Sequence, residues 1–185
     1  MVCAVRMQVE GVRKELRMIP VSIQTLVLAP APQPSVLVLC PTKELEAKET
    51  CRVVPIWIGA TEAAQLGLAL EGTKLGRPLT HDLMLDALTN LDATIERVEI
   101  TDVEGQTFIA RLVLRAGERT ITLDARPSDA VALAVRQNAP VLMAQRVLDE
   151  ASFPFVFRAS AHDNERELDE FREFIQSLSP EDFKE

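Results

Sequence analysis

The chain has 185 residues, 47% of them hydrophobic, and a formal net charge of −8, enough for one domain with appendages around a substantial core. No apolar run approaches the ~20 residues needed to cross a bilayer, and Arg6 interrupts the start MVCAVRMQV where a signal peptide would stay apolar, so no membrane partner is expected and the expected location is cytoplasmic. Nine acidic and three basic residues from Ser160 to Glu185 leave 19 acidic and 17 basic before them, so the body is nearly neutral and lacks the basic stripe of a stable nucleic-acid binder.

In chain order, MIPVSIQTLVL from Met18 reads as a strand and equally as a translation start, which makes residues 1–17 an N-terminal extension. After the proline-rich loop APAPQP come the strand SVLVLC, a charged connection KELEAKET, and the strand CRVVPIWIG. The segment ATEAAQLGLALEG places Ala63, Leu66, Gly67 and Leu70 at helical spacing, with Thr61 as N-cap and Gly72 as stop. THDLMLDALTNL predicts a second helix, capped by Thr80 and packed through Leu85, Leu88 and Leu91. TIERVEI, TFIARLVLR and TITLD alternate as antiparallel strands joined by turns at Glu104-Gly105 and Gly117-Glu118. A helix apolar on every side follows, over PSDAVALAVR, and then a short strand around PVLMA.

The tail NERELDEFREFIQSL sets Leu168, Phe171, Ile175 and Leu178 on one narrow seam of an acidic helix, suited to docking on the body or on another copy. The tail is expected to be dispensable for folding, and a homo-oligomer is expected. Cys3, Cys40 and Cys51 are odd in number and form no C-x-x-C pair, so reduced cysteines are expected, with Cys40 and Cys51 as buried filler.

Two polar clusters stand at helix starts. In DARPSD, Asp124 ends a strand, Pro127 and Ser128 open the apolar helix, and Asp129 sits in its first turn, where the helix dipole favours a carboxylate. Arg126 opposes that dipole and needs an anion: Asp124, Asp129, Asp82 or a phosphate. In GRPLTHD, Arg77 and Pro78 precede the cap Thr80, His81 and Asp82. One reading is structural, with Ser128 or Asp129 capping and Arg126 paired to Asp124. The other is phosphodiester chemistry: clustered carboxylates hold Mg²⁺ or Mn²⁺ and arginine neutralises phosphate. Glu62, in the first turn of its helix, is a dipole partner or a ligand. A G-x-S-x-G elbow, a Walker loop and a G-x-G-x-x-G loop are missing, and His162 in the tail is the second and last histidine, which excludes the multi-histidine HD metal site.

Taken in order, PIWIG at 55–59, EA at 62–63, RPLTHDL at 77–83, Ile100-Thr101-Asp102, TFIARL at 107–112 and DARPSDAVALAVR at 124–136 resemble the bifunctional nuclease family. The resemblance covers residues 18–150; residues 1–17 lie outside it, and 151–185 form an acidic helical tail. It implies a single α+β domain with a mixed, largely antiparallel sheet packed by helices, and nuclease activity on DNA and RNA with nucleic acid as a transient substrate. The motif positions present are Glu62, Arg77, Thr80, His81, Asp82, Asp124, Arg126, Ser128, Asp129 and Arg136. The expected catalytic set is His81, as general acid or base, with Asp82, Asp124, Arg126 and Asp129. Arg77, Thr80, Ser128 and Arg136 are expected to bind substrate, and Asp82, Asp124, Asp129 and Glu62 to hold Mg²⁺ or Mn²⁺. The competing function is a non-catalytic binding or regulatory module with structural junction charges. Both polar motifs are expected to meet in space, because neither buries well alone.

Overall fold

The computed structural model describes residues 17–30, 32–47, 50–73, 75–156, 164–179 and 182. Among them lie eight strands and six helices: β1 (Met18–Val27), β2 (Ser35–Pro41), α1 (Thr42–Ala47), β3 (Thr50–Ile58), α2 (Ala60–Leu70), α3 (Thr80–Asn90), β4 (Ala93–Glu104), β5 (Thr107–Ala116), β6 (Arg119–Ala125), α4 (Pro127–Gln137), β7 (Val141–Ala144), α5 (Gln145–Ala151), β8 (Phe153–Val156) and α6 (Asn164–Ser177). The strands form one sheet in the order β6-β5-β4-β7-β1-β2-β3-β8. The β4–β7 pair is parallel and the other pairs are antiparallel, so the fold is α+β with the mixed sheet that the alternating segments implied.

The single parallel pair explains the apolar helix. Hairpins turning at Gly105 and Gly117, both at positive φ, carry the chain outward from β4 to the sheet edge at β6. A parallel return to β7 beside β4 requires a crossover, and α4 supplies it, with Ala130, Val131, Ala132, Leu133 and Ala134 all buried. Asn138, left-handed at the C-cap, ends the helix. The sheet's two faces sort alternate residues of β2: Leu37 and Leu39 join the core under α2, α4 and α5, whereas Val36, Val38 and Cys40 join a second core under α6.

Several local expectations are corrected. KELEAKET is not a plain connection, since α1 occupies most of it, and Glu44 there accepts from the Arg52 backbone amide and guanidinium at 2.8 Å each. Thr61, Thr80 and Ser128 lie inside their helices; the N-caps are Gly59, Leu79 and Arg126, none with a side-chain cap bond. Leu91 and Leu70 are exposed, and α3 packs through Met84, Leu85 and Leu88 instead. Cys40 and Cys51, on adjacent strands and fully buried, are joined by a disulfide rather than reduced; strand pairing brings together two cysteines 11 residues apart that match no spacing motif. The sheet also runs past residue 150, with β8 paired to β3.

The tail seam folds inward. Phe171 and Ile175 are buried, Phe174 and Leu178 pack beside them, and the Phe155 ring meets Phe171 edge-on at 4.6 Å between centroids. The side chain of Leu168 lies outside the described residues, as do residues 1–16 of the N-terminal extension. Among the described residues no helix is long and apolar enough to cross a membrane.

Candidate functional site

The first turns of α2, α3 and α4 meet through Glu62, His81 and Asp129. Arg126, whose φ and ψ are extended, is the last residue before α4, and its guanidinium reaches back over the helix start. Its Nε donates to Asp129 Oδ2 at 2.8 Å, and its Nη1 lies 2.9 Å from Glu62 Oε1. Asp129 Oδ1 lies 3.4 Å from His81 Nε2. The two motifs therefore meet, with Asp129 bridging an arginine from its own motif and a histidine from the other. The His81 side chain is 13% exposed, and its Nδ1 is enclosed without a hydrogen-bond partner among the described residues. This geometry turns one imidazole nitrogen to Asp129 and the other to the interior. Asp129, with Glu62 second, holds the Arg126 guanidinium more firmly protonated than an ordinary arginine.

Gly59 is a site residue that the sequence did not flag. A Cβ there would collide with the Glu62 carboxylate, which folds back over the start of α2. The signal was available as a glycine three residues before Glu62, but glycine ahead of a helix is too common a cap to single out.

Asp82 belongs to a second, deeper pair. Its Oδ2 accepts from the Leu79 amide at 2.9 Å and its Oδ1 from Arg136 Nε at 2.9 Å. Arg136 also donates to the carbonyls of Ala132, at 2.9 Å, and Gln65, at 3.1 Å. One arginine thus ties α2, α3 and α4 together. Replacing it (Arg136→Ala) should cost about 2–3 kcal/mol in urea unfolding, through lost charged hydrogen bonds. The cost stays below the ~3–5 kcal/mol of a fully buried broken pair because Asp82, 40% exposed, regains water. A loss under about 0.5 kcal/mol would show that helix packing alone sets this geometry.

The Leu79 amide, and after it Arg136, holds the Asp82 carboxyl below its ordinary value against the opposing effect of burial. For Glu44 burial pushes upward, but the Arg52 hydrogen bonds outweigh it and the net shift is down. Both groups bind protons less readily folded than unfolded, so their stabilisation is complete above the unfolded value, near pH 4, and is lost as pH falls through the folded values. The melting temperature should fall below about pH 4. Asp82→Asn, melted in parallel, should flatten part of that acid limb; an unchanged limb would remove Asp82 as a contributor.

Other expected positions stand apart. Arg77, Thr80 and Asp124 are exposed, and among the described residues none makes an ion pair or side-chain hydrogen bond. Asp124 faces Arg111 across the β5–β6 pair on the sheet edge; the Arg126–Asp124 pair considered from sequence is replaced by Arg126–Glu62 and Arg126–Asp129. As a donor set for Mg²⁺ or Mn²⁺ the four carboxylates do not fit in this arrangement. Asp82 is committed to Leu79 and Arg136, Glu62 and Asp129 share a guanidinium, Asp124 lies elsewhere, and no three ligating side chains converge among the described residues.

Beside Arg126 opens a cavity of about 260 Å³, lined by Glu62, Phe108, Ser128 and the end of β3, including Trp57. A family model described as the bifunctional nuclease domain matches residues 45–155, which contain both polar motifs and the contacts of Arg126, His81, Asp129, Asp82 and Arg136 given above. The chain belongs to the bifunctional nuclease domain family. It is 39% identical over 137 residues to an uncharacterized protein of Mycobacterium tuberculosis, covering 72% of this chain and 82% of that one, in strains CDC 1551 / Oshkosh and ATCC 25618 / H37Rv alike. It is 29% identical over 98 residues to Bifunctional nuclease 1 of Oryza sativa subsp. indica and to the Bifunctional nuclease of Oryza minuta, over 51% of this chain and 30% of theirs. The stretch shared with the bifunctional nuclease domain runs past residue 150 into β8, as far as Phe155.

Proposed function

We propose that this protein is a nuclease that hydrolyses phosphodiester bonds of DNA and RNA, with nucleic acid as a transient substrate. The observation that carries this reading is Arg126: its side chain is 65% exposed, yet two carboxylates aim it over a cavity. A guanidinium has five N–H donors, so after its bonds to Asp129 and Glu62 it still offers a fork to a phosphate oxygen. Bound there, it neutralises the charge that grows on phosphorus-bound oxygens as water attacks. Glu62, which lines the same cavity, takes the proton of that water as the P–O bond to the leaving sugar oxygen breaks, and the departing oxygen is protonated from solvent. Asp129 aligns the guanidinium through one oxygen and faces His81 Nε2 with the other. No step is assigned to Mg²⁺ or Mn²⁺, because the expected donors are not assembled while Arg126 bridges Glu62 and Asp129.

The bifunctional nuclease family and the rice relatives support the reaction class. The competing reading, a non-catalytic binding or regulatory module, draws on the pairing of Glu62, Asp82 and Asp129 with arginines. An assay separates the two. Highly purified protein is incubated with single-stranded and duplex DNA and RNA in Mg²⁺, Mn²⁺ or EDTA, beside an Arg126→Ala preparation made identically. Cleavage by the first and not by the second supports the nuclease. Equal cleavage by both identifies a contaminant, and no cleavage in any condition favours the module.

A further inference from the structure

We propose that the cavity beside Arg126 is a subsite for a single unstacked nucleobase, so that the substrate is a single-stranded or frayed end and not an intact duplex. This rests on the nuclease reading only in taking Arg126 as the holder of the adjoining phosphate. The volume, about 260 Å³, falls below the about 300–1,000 Å³ of drug-sized ligand pockets and suits one planar ring. The wall is of two kinds. Ile56, Ile58, Phe108 and Pro127 are its buried, apolar part, while Gln106 and Thr107, at the β4–β5 turn, are exposed polar residues at the rim.

Ser128 supplies an independent indication of a ligand. It lines the same cavity, is 6% exposed, and its hydroxyl makes no hydrogen bond among the described residues. The hydroxyl is not enclosed as His81 Nδ1 is; it is open to the cavity as a donor and acceptor, which the polar edge of a base would engage. An apolar and aromatic wall, a few polar groups for the base edge and an arginine for the phosphate are together the means by which proteins hold bases taken out of a stack. The charge balance points the same way. With 19 acidic and 17 basic residues before Ser160, the body carries too little net positive charge to hold a duplex by long-range attraction to its backbone, which puts more of the recognition on contacts to one nucleotide.

Occupancy is read by calorimetry, without reference to activity; the emission of Trp57, the chain's single tryptophan, is followed beside it, since this residue lines the cavity while its side chain packs with the second core. The full-length protein is titrated with the four ribonucleoside 5′-monophosphates, with ribose 5-phosphate and with inorganic phosphate, and each titration is repeated by calorimetry. The expected result is saturable binding of at least one nucleotide, about 10-fold or more tighter than of either base-free phosphate. Ser128→Ala should weaken nucleotide binding about 3- to 10-fold and leave phosphate binding unchanged; equal weakening of both would overturn the assignment of its hydroxyl to the base. Equal affinities for nucleotide and ribose 5-phosphate, or no nucleotide binding by either method, would overturn the subsite. The comparison among ligands needs no variant to fold. Strand cleavage that proceeds without base-dependent binding sinks the subsite alone, and base-dependent binding without cleavage sinks the nuclease reading alone.

Discussion

Asp129→Asn should lower phosphodiester cleavage about 100-fold or more while the melting temperature barely moves. The carboxylate stands between Arg126, at 2.8 Å, and His81, at 3.4 Å, and it needs both oxygens to serve them. An asparagine has a single acceptor oxygen. If that oxygen faces Arg126, the amide NH₂ is turned to His81; if it faces His81, the NH₂ opposes a guanidinium that can only donate. Either way Arg126 loses the charge that aims it, and Glu62 alone is left to hold it. Stability should suffer little, because asparagine suits a helix N-terminus about as well as aspartate and an exposed arginine pair contributes about 0–1 kcal/mol. Cleavage rates on single-stranded substrate and a thermal melt, run on the same preparation, check both halves. Unchanged cleavage would remove Asp129 from the site; a loss of several kcal/mol would make the bridge a structural knot.

Phe171→Ala should cost about 3–5 kcal/mol, the largest stability effect expected of a single substitution here. The ring is 2% exposed and packs on Phe155 beside Val38, Cys40, Cys51 and Val53. Its removal leaves a cavity bounded by a sheet face, which is stiff and does not collapse to fill it. Denaturant unfolding of the variant measures the cost. Truncation after residue 157 removes Phe171 and Ile175 together and should expose this face of β2 and β3, with aggregation or a lowered melting temperature as the readout. A truncated protein as stable as the full chain would show that the seam only covers the body. The sequence suggested docking of the seam on the body or on another copy, with a tail dispensable for folding; burial of Phe171 and Ile175 makes the opposite truncation result the expected one. A seam of Phe171, Ile175 and Leu178 on an acidic helix looks the same whether its partner is the chain's own sheet or another copy.

Much of the fold was legible in local patterns, and where reading failed the failures share a cause. Strands β1 to β7, with helices α2, α3, α4 and α6, stand where hydrophobic period and turn residues placed them, because those signals arise within a few residues. α1, α5 and β8 were missed. α1 and α5 are only six and seven residues long, too short for helical periodicity to show, and β8 is defined by pairing with β3 rather than by its own alternation. The caps were misplaced by one or two residues: Leu79 and Arg126 end extended segments whose geometry depends on what precedes the helix.

For the candidate site, the order of residues along the chain was enough to name the cast and to bring its two motifs together. Two helix starts, each mixing arginine with carboxylate, cannot be buried separately without unpaired charge, and the structure joins them through His81 and Asp129. Who pairs with whom is settled by packing. Glu62 and Asp129, 67 residues apart, share Arg126; Asp82 turns away to Arg136; Asp124, within the same short motif as Asp129, is left on a sheet edge. A motif lists residues along the chain, but a side chain's partner is set by its direction from the backbone. That direction changes abruptly where β6 gives way to α4 between Asp124 and Asp129, so neighbours in sequence there part company and distant residues meet.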